Sequence, residues 1–316
     1  MMLGRTAHDL YWLSRYIERA ENMARLIDVG YRIGLTPRSG LGRSEEWRST
    51  LKSTGCEEGY FAKHDEIDVR RIIDFLLFDA DNASSVRSCL ATARHNGRAQ
   101  RTAMTSEMWE CLNQTWLDYA RIRPESISIG ELPDLLLWIK QRSALFRGTL
   151  LNTVLRRDGF FFSQLGTFIE RSDNTARILD VKYYLLLPQN EIVGGGIDSY
   201  QWTAILRSVA AHRSYRWVYK ESYKPWRIAE YLILNGEMPR SLRYCADEID
   251  ATLDALGASY GTRNGCHEHA HANRTLLGDR DIATIIQGGL HEFLLDFIAR
   301  NNRLGEEIAR VYHFVD

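Results

Sequence analysis

The chain has 316 residues, and 45% of them are hydrophobic, which is enough to bury a substantial core. It carries 40 basic and 41 acidic residues, for a formal net charge of −1. This balance argues against a protein directed to nucleic acid, because that function needs a basic excess or stripe. No apolar run approaches the roughly 18 residues that cross a bilayer, so we expect no membrane-spanning segment.

The cysteines and the first residues indicate a compartment. The cysteines are scattered and odd in number, which favours reduced thiols over a disulfide framework. Residues 1–12 lack the charged and then apolar layout of a secretion signal, and Asp9 interrupts them. We therefore expect a cytoplasmic protein. The cysteines are Cys56, Cys89, Cys111, Cys245 and Cys266.

Hydrophobic spacing near 3.6 residues predicts an all-α fold, and alternating strand patterns are nearly absent. In the first helix, Leu13, Ile17, Ala20 and Ala24 lie within one arc. Further helices are predicted over 70–79, 84–95, 98–120, 131–156, 160–187, 199–211, 224–234, 240–256 and 281–313. The predicted loops are 35–45, 54–66, 121–130, 188–198 and 257–268.

Capping residues, prolines and glycines predict several helix ends. Asn82 is a suitable cap before Ser84, and Pro239 lies where a first helical residue is expected. Helix stops are predicted at Gly34, at Leu187-Pro188 and at glycines 194–196, which we interpret as a flexible linker.

The strongest pattern in the chain is an internal repeat. Residues 13–29 and 165–181 are identical at nine of seventeen positions, at an offset of 152. Weaker matches follow in the same order, at offsets of 155, 156 and 159. They pair Trp47, Leu51 and Ser53 with Trp202, Leu206 and Ser208; Leu76, Ser85, Arg87 and Cys89 with Leu232, Ser241, Arg243 and Cys245; and Leu135, Leu136 and Ile139 with Leu294, Leu295 and Ile298.

Such a repeat sets the architecture before any other feature is considered. We expect an internally duplicated helical bundle with pseudo-twofold symmetry, whose halves are residues 1–157 and 158–316. Each half has a comfortable domain size. Whether the halves are separate domains or are interleaved in one core stays open at this point.

The repeated helix also carries a repeated polar face. Glu18, Asn22 and Arg25 lie roughly opposite the apolar arc, and their partners in the second half are Glu170, Asn174 and Arg177. A freely solvated face has little reason to repeat these residues, so we expect both helices to be covered on two sides. The spacing predicts pairs of Glu21 with Arg25 and of Asp173 with Arg177, and contacts from Glu18 to Asn22 and from Asn22 to Arg25.

Two interpretations of this face stay open. The first is an internal salt-bridge network that determines the helix register. The second is a pocket in which arginines offer planar forks to carboxylate or phosphate groups. The arginines in question are Arg19, Arg25, Arg171 and Arg177.

Other candidates are weaker. His267 and His271 have a helical spacing that suits zinc, but they lie in a predicted loop without a second ligand set, so we expect no metal. His291 and Glu292 could form an acid–base pair, although a surface pair is the simpler interpretation. Arg87 and Arg243, a matched pair, either join the polar network or brace their helices. No glycine-rich phosphate loop, nucleophile elbow or catalytic triad spacing occurs, and we expect no cofactor.

Residues 11–25 closely resemble the alpha-E family of bacterial proteins, which is named for its helical content and its Glu-Arg motif. The resemblance continues through residues 75–87, 107–113, 168–180, 239–242 and 289–294. One departure is that the usual Leu-Gly-Arg before the motif is Leu13-Ser14-Arg15 in one half and Leu165-Gly166-Thr167 in the other. A role that needs Arg15 therefore has no counterpart in the second half.

The resemblance implies partners. Genes of this family lie beside genes for circularly permuted ATP-grasp ligases, often together with genes for transglutaminase-like proteases. The resemblance therefore implies a role in making or processing a peptide-like amide product. The leading hypothesis is a binding and accessory protein that holds an acidic or peptide-like ligand at the polar face, with Arg15 beside the repeated residues. The alternatives are an enzyme with Glu18 or Glu170 as its base and arginines as clamps, and a purely structural subunit.

Overall fold

The computed structural model describes residues 2–35, 43–184, 195–220 and 223–314. Within these ranges the chain is all-α, as predicted, with fifteen α-helices and two short 3-10 turns at Arg101–Ala103 and Pro124–Ser126. The helices are α1 (Gly4–Ile33), α2 (Arg43–Thr54), α3 (Glu57–Phe61), α4 (Val69–Leu77), α5 (Val86–Ala99), α6 (Ser106–Ala120), α7 (Leu132–Thr153), α8 (Asp158–Tyr184), α9 (Gly196–Ser208), α10 (His212–Tyr219), α11 (Pro225–Leu234), α12 (Leu242–Tyr260), α13 (Gly265–Gly278), α14 (Ile282–Gln287) and α15 (Leu290–Val311).

Several predicted boundaries are wrong. The loop predicted over 257–268 is shorter, because α12 runs to Tyr260 and α13 begins at Gly265. The helix expected over 281–313 is divided at Gly289, whose φ of 94° a right-handed helix does not contain. The helix expected over 98–120 is interrupted between Ala99 and Ser106.

The serine caps explain two further corrections. Ser85, rather than Asn82, is the N-cap of α5, and Ser241 is the N-cap of α12, so Pro239 lies outside that helix. Gly34 does end α1, as predicted. Gly195 caps α9, which begins at Gly196, so these two glycines are not linker residues. The predicted stops at residues 187–188 and 194 lie outside the described residues.

The two motif helices form the centre of the molecule. Helices α1 and α8 lie side by side and make the most extensive helix–helix contact of the described chain. Helix α1 also packs against α5 and α7, whereas α8 packs against α12 and α15. The two repeated helices therefore cover one another along one side.

One backbone contact shows how closely α1 and α8 approach each other. A Cβ atom placed on Gly166 of α8 would lie 2.2 Å from the carbonyl oxygen of Tyr11 in α1. A glycine is therefore required at this crossing, since any side chain would push the two helices apart.

The apolar core crosses the boundary expected near residue 157. Helix α1 contributes to all three clusters of buried side chains in the described residues. Leu26, Val29 and Ile33 pack with residues of the second half, and Ala7 and Tyr11 pack with a cluster from α8, α12 and α15. The core is thus shared between the two halves along α1.

Matched positions of the two repeats share the same local hydrogen bonds and backbone conformations. Ser85 Oγ donates to the carbonyl oxygen of Asp79 at 2.6 Å, and Ser241 Oγ donates to that of Asn235, six residues before the cap in both cases. Gly55 and Ala210, related by the offset of 155, are both left-handed, with φ of 70° and 58°. These are the correspondences that an internal duplication predicts.

Candidate functional site

The polar faces of both motif helices are buried, as predicted. Glu18 is 1% exposed, Asn22 3% and Arg25 8%. In the second half, Glu170 and Asn174 are also buried, and Arg177 is partly exposed. Each face therefore needs partners for its charges from elsewhere in the protein.

Reciprocal bridges between the repeats supply those partners. Arg171 of α8 donates Nε and Nη2 to the two carboxylate oxygens of Glu18, each at 3.1 Å. Arg19 of α1 donates the same two nitrogens to Glu170, at 2.6 and 2.9 Å. Each Glu-Arg motif thus gives its arginine to the glutamate of the other in a bidentate fork.

One side of this helix pair carries a group of charged side chains that bind one another. We name it the closed cluster; it consists of Glu18, Glu21, Arg25, Arg147, Arg171 and Arg240. Arg147 Nη1 lies 2.8 Å from Glu18 and 2.5 Å from Glu21. Arg240 Nη1 lies 3.0 Å from Glu18 Oε1, and its Nη2 donates to Glu21. Arg25 donates to Glu21 at 2.6 Å, which confirms that predicted pair.

The closed cluster keeps its carboxylates ionised. Burial alone would raise the pKa of Glu18, but Arg171, Arg147 and Arg240 together lower it to about 2. The pKa of Glu21 is also held well below its ordinary value, against burial, by Arg240, Arg25 and Arg147. Burial, aided by the charge of nearby Arg25, lowers the pKa of Arg240 to about 10, so Arg240 stays protonated at neutral pH.

Sequence reasoning did not identify Arg147 as part of a site, and it treated Arg240 only as a motif residue. A signal for Arg147 was present, because it lies four residues after Ser143 within the stripe that Ile139 and Leu150 define on α7. A charged residue within an apolar stripe needs a buried partner, and Arg147 finds Glu18. Nothing in the helical spacing identifies Arg240, because it precedes the N-cap of α12.

Another side of the helix pair is open. A cavity of about 250 Å³ lies between α1 and α8, and we name it the open cavity. Its polar lining comes from both repeats. The polar lining residues are Arg19, Asn22, Thr54, Ser84, Glu170, Asp173, Asn174 and Arg177.

Glu170 is the best-connected acid of the open cavity. Besides Arg19, it accepts a hydrogen bond from Arg15 Nε at 2.9 Å. Burial would raise the pKa of Glu170, but Arg19 and Arg15 lower it to about 2. Arg15 has no basic counterpart in the second half, where Thr167 donates within its own helix to the carbonyl oxygen of Ser163.

The remaining predicted contacts within the polar faces are partly wrong. Asp173 pairs with Arg177 at 2.6 Å, as predicted. Asn22 bonds neither Glu18 nor Arg25, because its Nδ2 donates across to the carbonyl oxygen of Glu170 at 3.1 Å. Its Oδ1, like that of Asn174, is a buried acceptor without a hydrogen-bond donor among the described residues.

Arg87 and Arg243 lie apart from these charges. Arg243 Nε donates to Asp247 one turn along α12, so it braces its own helix. Arg87 is half-buried near the phenol of Tyr119. Within the described residues, neither arginine forms an ion pair with the glutamates of the two motifs.

The histidine candidates have structural partners. His267 is buried in α13, where its Nδ1 accepts from the backbone N–H of Asn264 and its Nε2 lies 3.0 Å from the carbonyl oxygen of Leu253. His271 is mostly exposed, near Asp250. Across the described parts of the chain, no group of three potential ligands is placed to hold a metal ion.

His291 pairs with a different acid from the one that sequence reasoning offered. Its Nδ1 lies 2.6 Å from Asp180 Oδ1, and its ring stacks on Tyr183 at 3.7 Å between centroids. The suggested pairing with its neighbour Glu292 is therefore replaced by a contact between α15 and α8.

All five cysteines are buried and free of disulfide bonds, as expected. Cys89 and Cys245 occupy matched positions on α5 and α12, and burial raises the pKa of each thiol to about 12. Thiols with such pKa values are protonated at neutral pH and are poor nucleophiles.

Comparison with known proteins identifies the family. Among the described residues, no helix combines the length and apolar character needed to cross a bilayer. Comparisons with curated proteins and with solved structures found no match. Residues 2–313 match the family model Alpha-E, described as a predicted alpha-helical domain with a conserved ER motif. That motif stands twice here, as Glu18-Arg19 and Glu170-Arg171, and the chain belongs to the Alpha-E family.

Proposed function

We propose that this protein is an accessory binding protein that acts with a circularly permuted ATP-grasp amide ligase. It holds a peptide-like substrate or carrier in the open cavity while the ligase forms or modifies an amide. The observation that carries the proposal is the cavity of about 250 Å³, lined by polar residues of both repeated motifs. The ligase and a transglutaminase-like protease enter as partners only through the family resemblance.

The protonation states favour binding over catalysis at this site. A general base works best when its pKa lies near the operating pH. Glu18 and Glu170 have pKa values of about 2 and are already hydrogen-bonded by arginines, so they are weak bases at neutral pH. The enzyme hypothesis therefore lacks support from the two residues that it relied on.

The structural hypothesis applies to the closed cluster. There Arg147 and Arg240 already bind Glu18 and Glu21, so the protein's own side chains engage both carboxylates. Its role is to hold α1 and α8 in register. We therefore assign a structural role to the closed cluster and a binding role to the open cavity.

A matched pair of substitutions tests this division. Arg177→Met removes a charge from the open cavity, and Arg25→Met removes its counterpart from the closed cluster. We expect Arg177→Met to abolish product formation by the neighbouring ATP-grasp ligase while circular dichroism shows an intact fold. Arg25→Met is expected to lower the melting temperature, because it leaves Glu21 short of a partner.

Native mass spectrometry of the protein, alone and with the ligase, measures complex formation and bound ligand together. Undiminished product formation with a folded Arg177→Met variant would contradict the binding role of the cavity. Turnover by the protein alone, lost in Glu170→Gln while ligand binding survives, would instead establish the enzyme hypothesis.

A further inference from the structure

The open cavity and the closed cluster lie on two sides of one helix pair, and their motif residues match. The offset of 152 relates the acids and bases of the cavity to those of the cluster. Glu170 corresponds to Glu18 in this way, and Asp173 corresponds to Glu21. The corresponding bases are Arg19 with Arg171, and Arg177 with Arg25.

Two arginines from neighbouring elements, Arg147 and Arg240, enter the closed cluster, and Arg240 has a matched position beside the open cavity. The offset of 156 that relates Ser85 to Ser241 also relates Ser84 to Arg240. Ser84 lines the open cavity. Arg240, which precedes the cap of α12, inserts its guanidinium between Glu18 and Glu21. The cavity thus corresponds to the place that the Arg240 side chain occupies in the closed cluster.

The lining of the cavity contains acceptors that lack donors. Asn22 is 3% exposed, and its orientation is determined because Nδ2 donates to the carbonyl oxygen of Glu170. Its Oδ1 is buried and receives no hydrogen bond from the described residues, and the same holds for Asn174 Oδ1. A buried acceptor without a donor costs free energy, so a ligand rich in N–H groups would be stabilised here.

The bases of the cavity are already engaged, whereas its acids retain acceptor capacity. Arg19 directs Nε and Nη2 at Glu170, and Arg177 directs the same nitrogens at Asp173. A carboxylate offers about four lone-pair sites, and Glu170 uses three of them for Arg15 and Arg19. Asp173 accepts hydrogen bonds from Arg177 alone among the described residues.

A cation bound in the open cavity would pay a smaller desolvation cost than Arg240 does in the closed cluster. The side chains of Arg19 and Arg177 are 24% and 30% exposed, whereas that of Arg240 is 7% exposed. Partial access to water reduces the desolvation cost of a bound charge. The same access gives a ligand a route from solvent.

From these contacts we propose that the open cavity binds a guanidinium or primary ammonium group. The group lies between Glu170 and Asp173, as Arg240 lies between Glu18 and Glu21. This inference rests on the proposed ligand-binding role of the cavity and names the head group of the peptide-like ligand. It reverses the expectation of an acidic ligand, because the arginines that would have received an acid are paired internally.

Calorimetric titration of the full-length protein with capped single amino acids tests the charge of the ligand. The probes are N-acetyl-argininamide, N-acetyl-lysinamide, N-acetyl-glutamate amide and inorganic phosphate, with N-acetyl-citrullinamide as the neutral isostere of arginine. We expect the arginine compound to bind, and the citrulline compound to bind about tenfold to a hundredfold more weakly, as expected for the loss of charge-assisted hydrogen bonds.

Two substitutions at one position test the location. Ser84→Arg supplies in this half the side chain that Arg240 supplies in the other, so we expect it to abolish binding of the arginine compound and to raise the melting temperature. Ser84→Met fills similar space without charge, so it should weaken binding without that stabilisation. In Arg240→Ser, the arginine compound should raise the melting temperature more than it does in the natural protein, because the second site is then vacant.

The failures of the two proposals can be told apart. Binding of phosphate or the glutamate compound in preference to the arginine compound would overturn the cationic assignment and leave a ligand site in place. Binding of none of the probes, together with full ligase product formation by Ser84→Arg, would overturn both. Binding of the arginine compound that Ser84→Arg does not affect would refute the location.

Discussion

At the scale of single residues, Glu18 carries a negative charge where water does not reach. Three guanidiniums surround it, and they lower its pKa to about 2 against the effect of burial. Buried ion pairs of this kind contribute little when compared with an apolar replacement, but removal of one member leaves the others uncompensated. Loss of Glu18 or Glu170 is therefore costly mainly because it would leave buried arginines without a counter-charge. The attraction within each ion pair contributes less.

The carboxylate of Glu18 can be removed with almost no change of shape. We expect Glu18→Gln to lower the free energy of unfolding by about 3–5 kcal/mol, because Arg171, Arg147 and Arg240 then share one acid fewer. Urea unfolding followed by circular dichroism measures the change. Glu306→Gln, at an exposed position of α15, is the control and should stay within about 0.5 kcal/mol of the natural protein. A Glu18→Gln variant as stable as this control would contradict the role of Glu18 as the counter-charge of the buried arginines.

The two glutamates also predict the response to acid. Their folded pKa values of about 2 lie below the unfolded value of about 4.3. Their stabilisation is therefore complete above pH 5 and is lost as the pH falls through 4 toward 2. We expect each to contribute about 3 kcal/mol at neutral pH, and the pair to lose about 3–4 kcal/mol between pH 5 and pH 3. Urea titrations at several pH values test this. Glu170→Gln should reduce the pH dependence by about half, and an unchanged dependence would argue against the ionised state of Glu170.

At the scale of helices, the register of α1 and α8 depends on both charge and shape. The reciprocal forks of Arg19 and Arg171 join the helices from both directions. The glycine at 166 lets the backbones approach to a distance that excludes a Cβ atom. A shift of one helix along the other would break the forks and the close contact together.

Two glycine substitutions separate close approach from helix propensity. Gly166→Ala places a methyl group against the Tyr11 carbonyl oxygen, so we expect it to destabilise the protein by about 1–3 kcal/mol through overpacking. Gly148→Ala lies in α7 with nothing within 4 Å of its Cβ, and it should stabilise by about 0.5–1 kcal/mol, because alanine is the better helix former. Thermal and urea unfolding compare the two variants. Equal effects in both would show that the helices do not meet closely at residue 166.

Some features of the helices could be predicted from the sequence and others could not. The double burial of α1 and α8 was predictable, because a polar face repeated at matching places needs a covering layer. Helix α2 was not predictable, because Trp47 and Leu51 are the only large apolar residues on its buried side. The start of α13 was missed because His267, which looks like a ligand or a loop residue, caps its own helix.

In the site, contacts within one helix were predictable from the sequence, whereas contacts between distant helices were not. Helical spacing correctly predicted the pairs of Glu21 with Arg25 and of Asp173 with Arg177, which are four residues apart. It could not predict that Arg171 serves Glu18, because that contact depends on how two distant helices cross. The cavity at Ser84 was unpredictable for the same reason, since an empty space has no local sequence signal.

At the scale of the whole molecule, the two expected halves depend on one another. The proposed boundary near residue 157 separates α1 from α8, yet α1 packs into clusters formed with residues of the second half. The second half thus lacks a helix that its core requires. We propose two repeats of common origin that fold as one interleaved unit.

Separate expression of the halves tests this interleaving. We expect fragments 1–157 and 158–316 to be individually expanded or insoluble, because each exposes the apolar and charged faces that the other covers. Their mixture should regain the circular dichroism and dispersed NMR spectrum of the intact chain. A fragment that alone gives a dispersed spectrum and a cooperative melting transition would establish separate domains instead.

The sharing of α1 between the halves affects how the protein is made. Glu18 and Arg171 are 153 residues apart, so at a synthesis rate of about 5–20 residues per second the ribosome needs about 8–30 s to supply the partner of Glu18. During that interval α1 carries an unmatched row of acids and arginines beside an uncovered apolar stripe. The nascent chain is thus exposed to chaperones and to misassociation until the second repeat has been made.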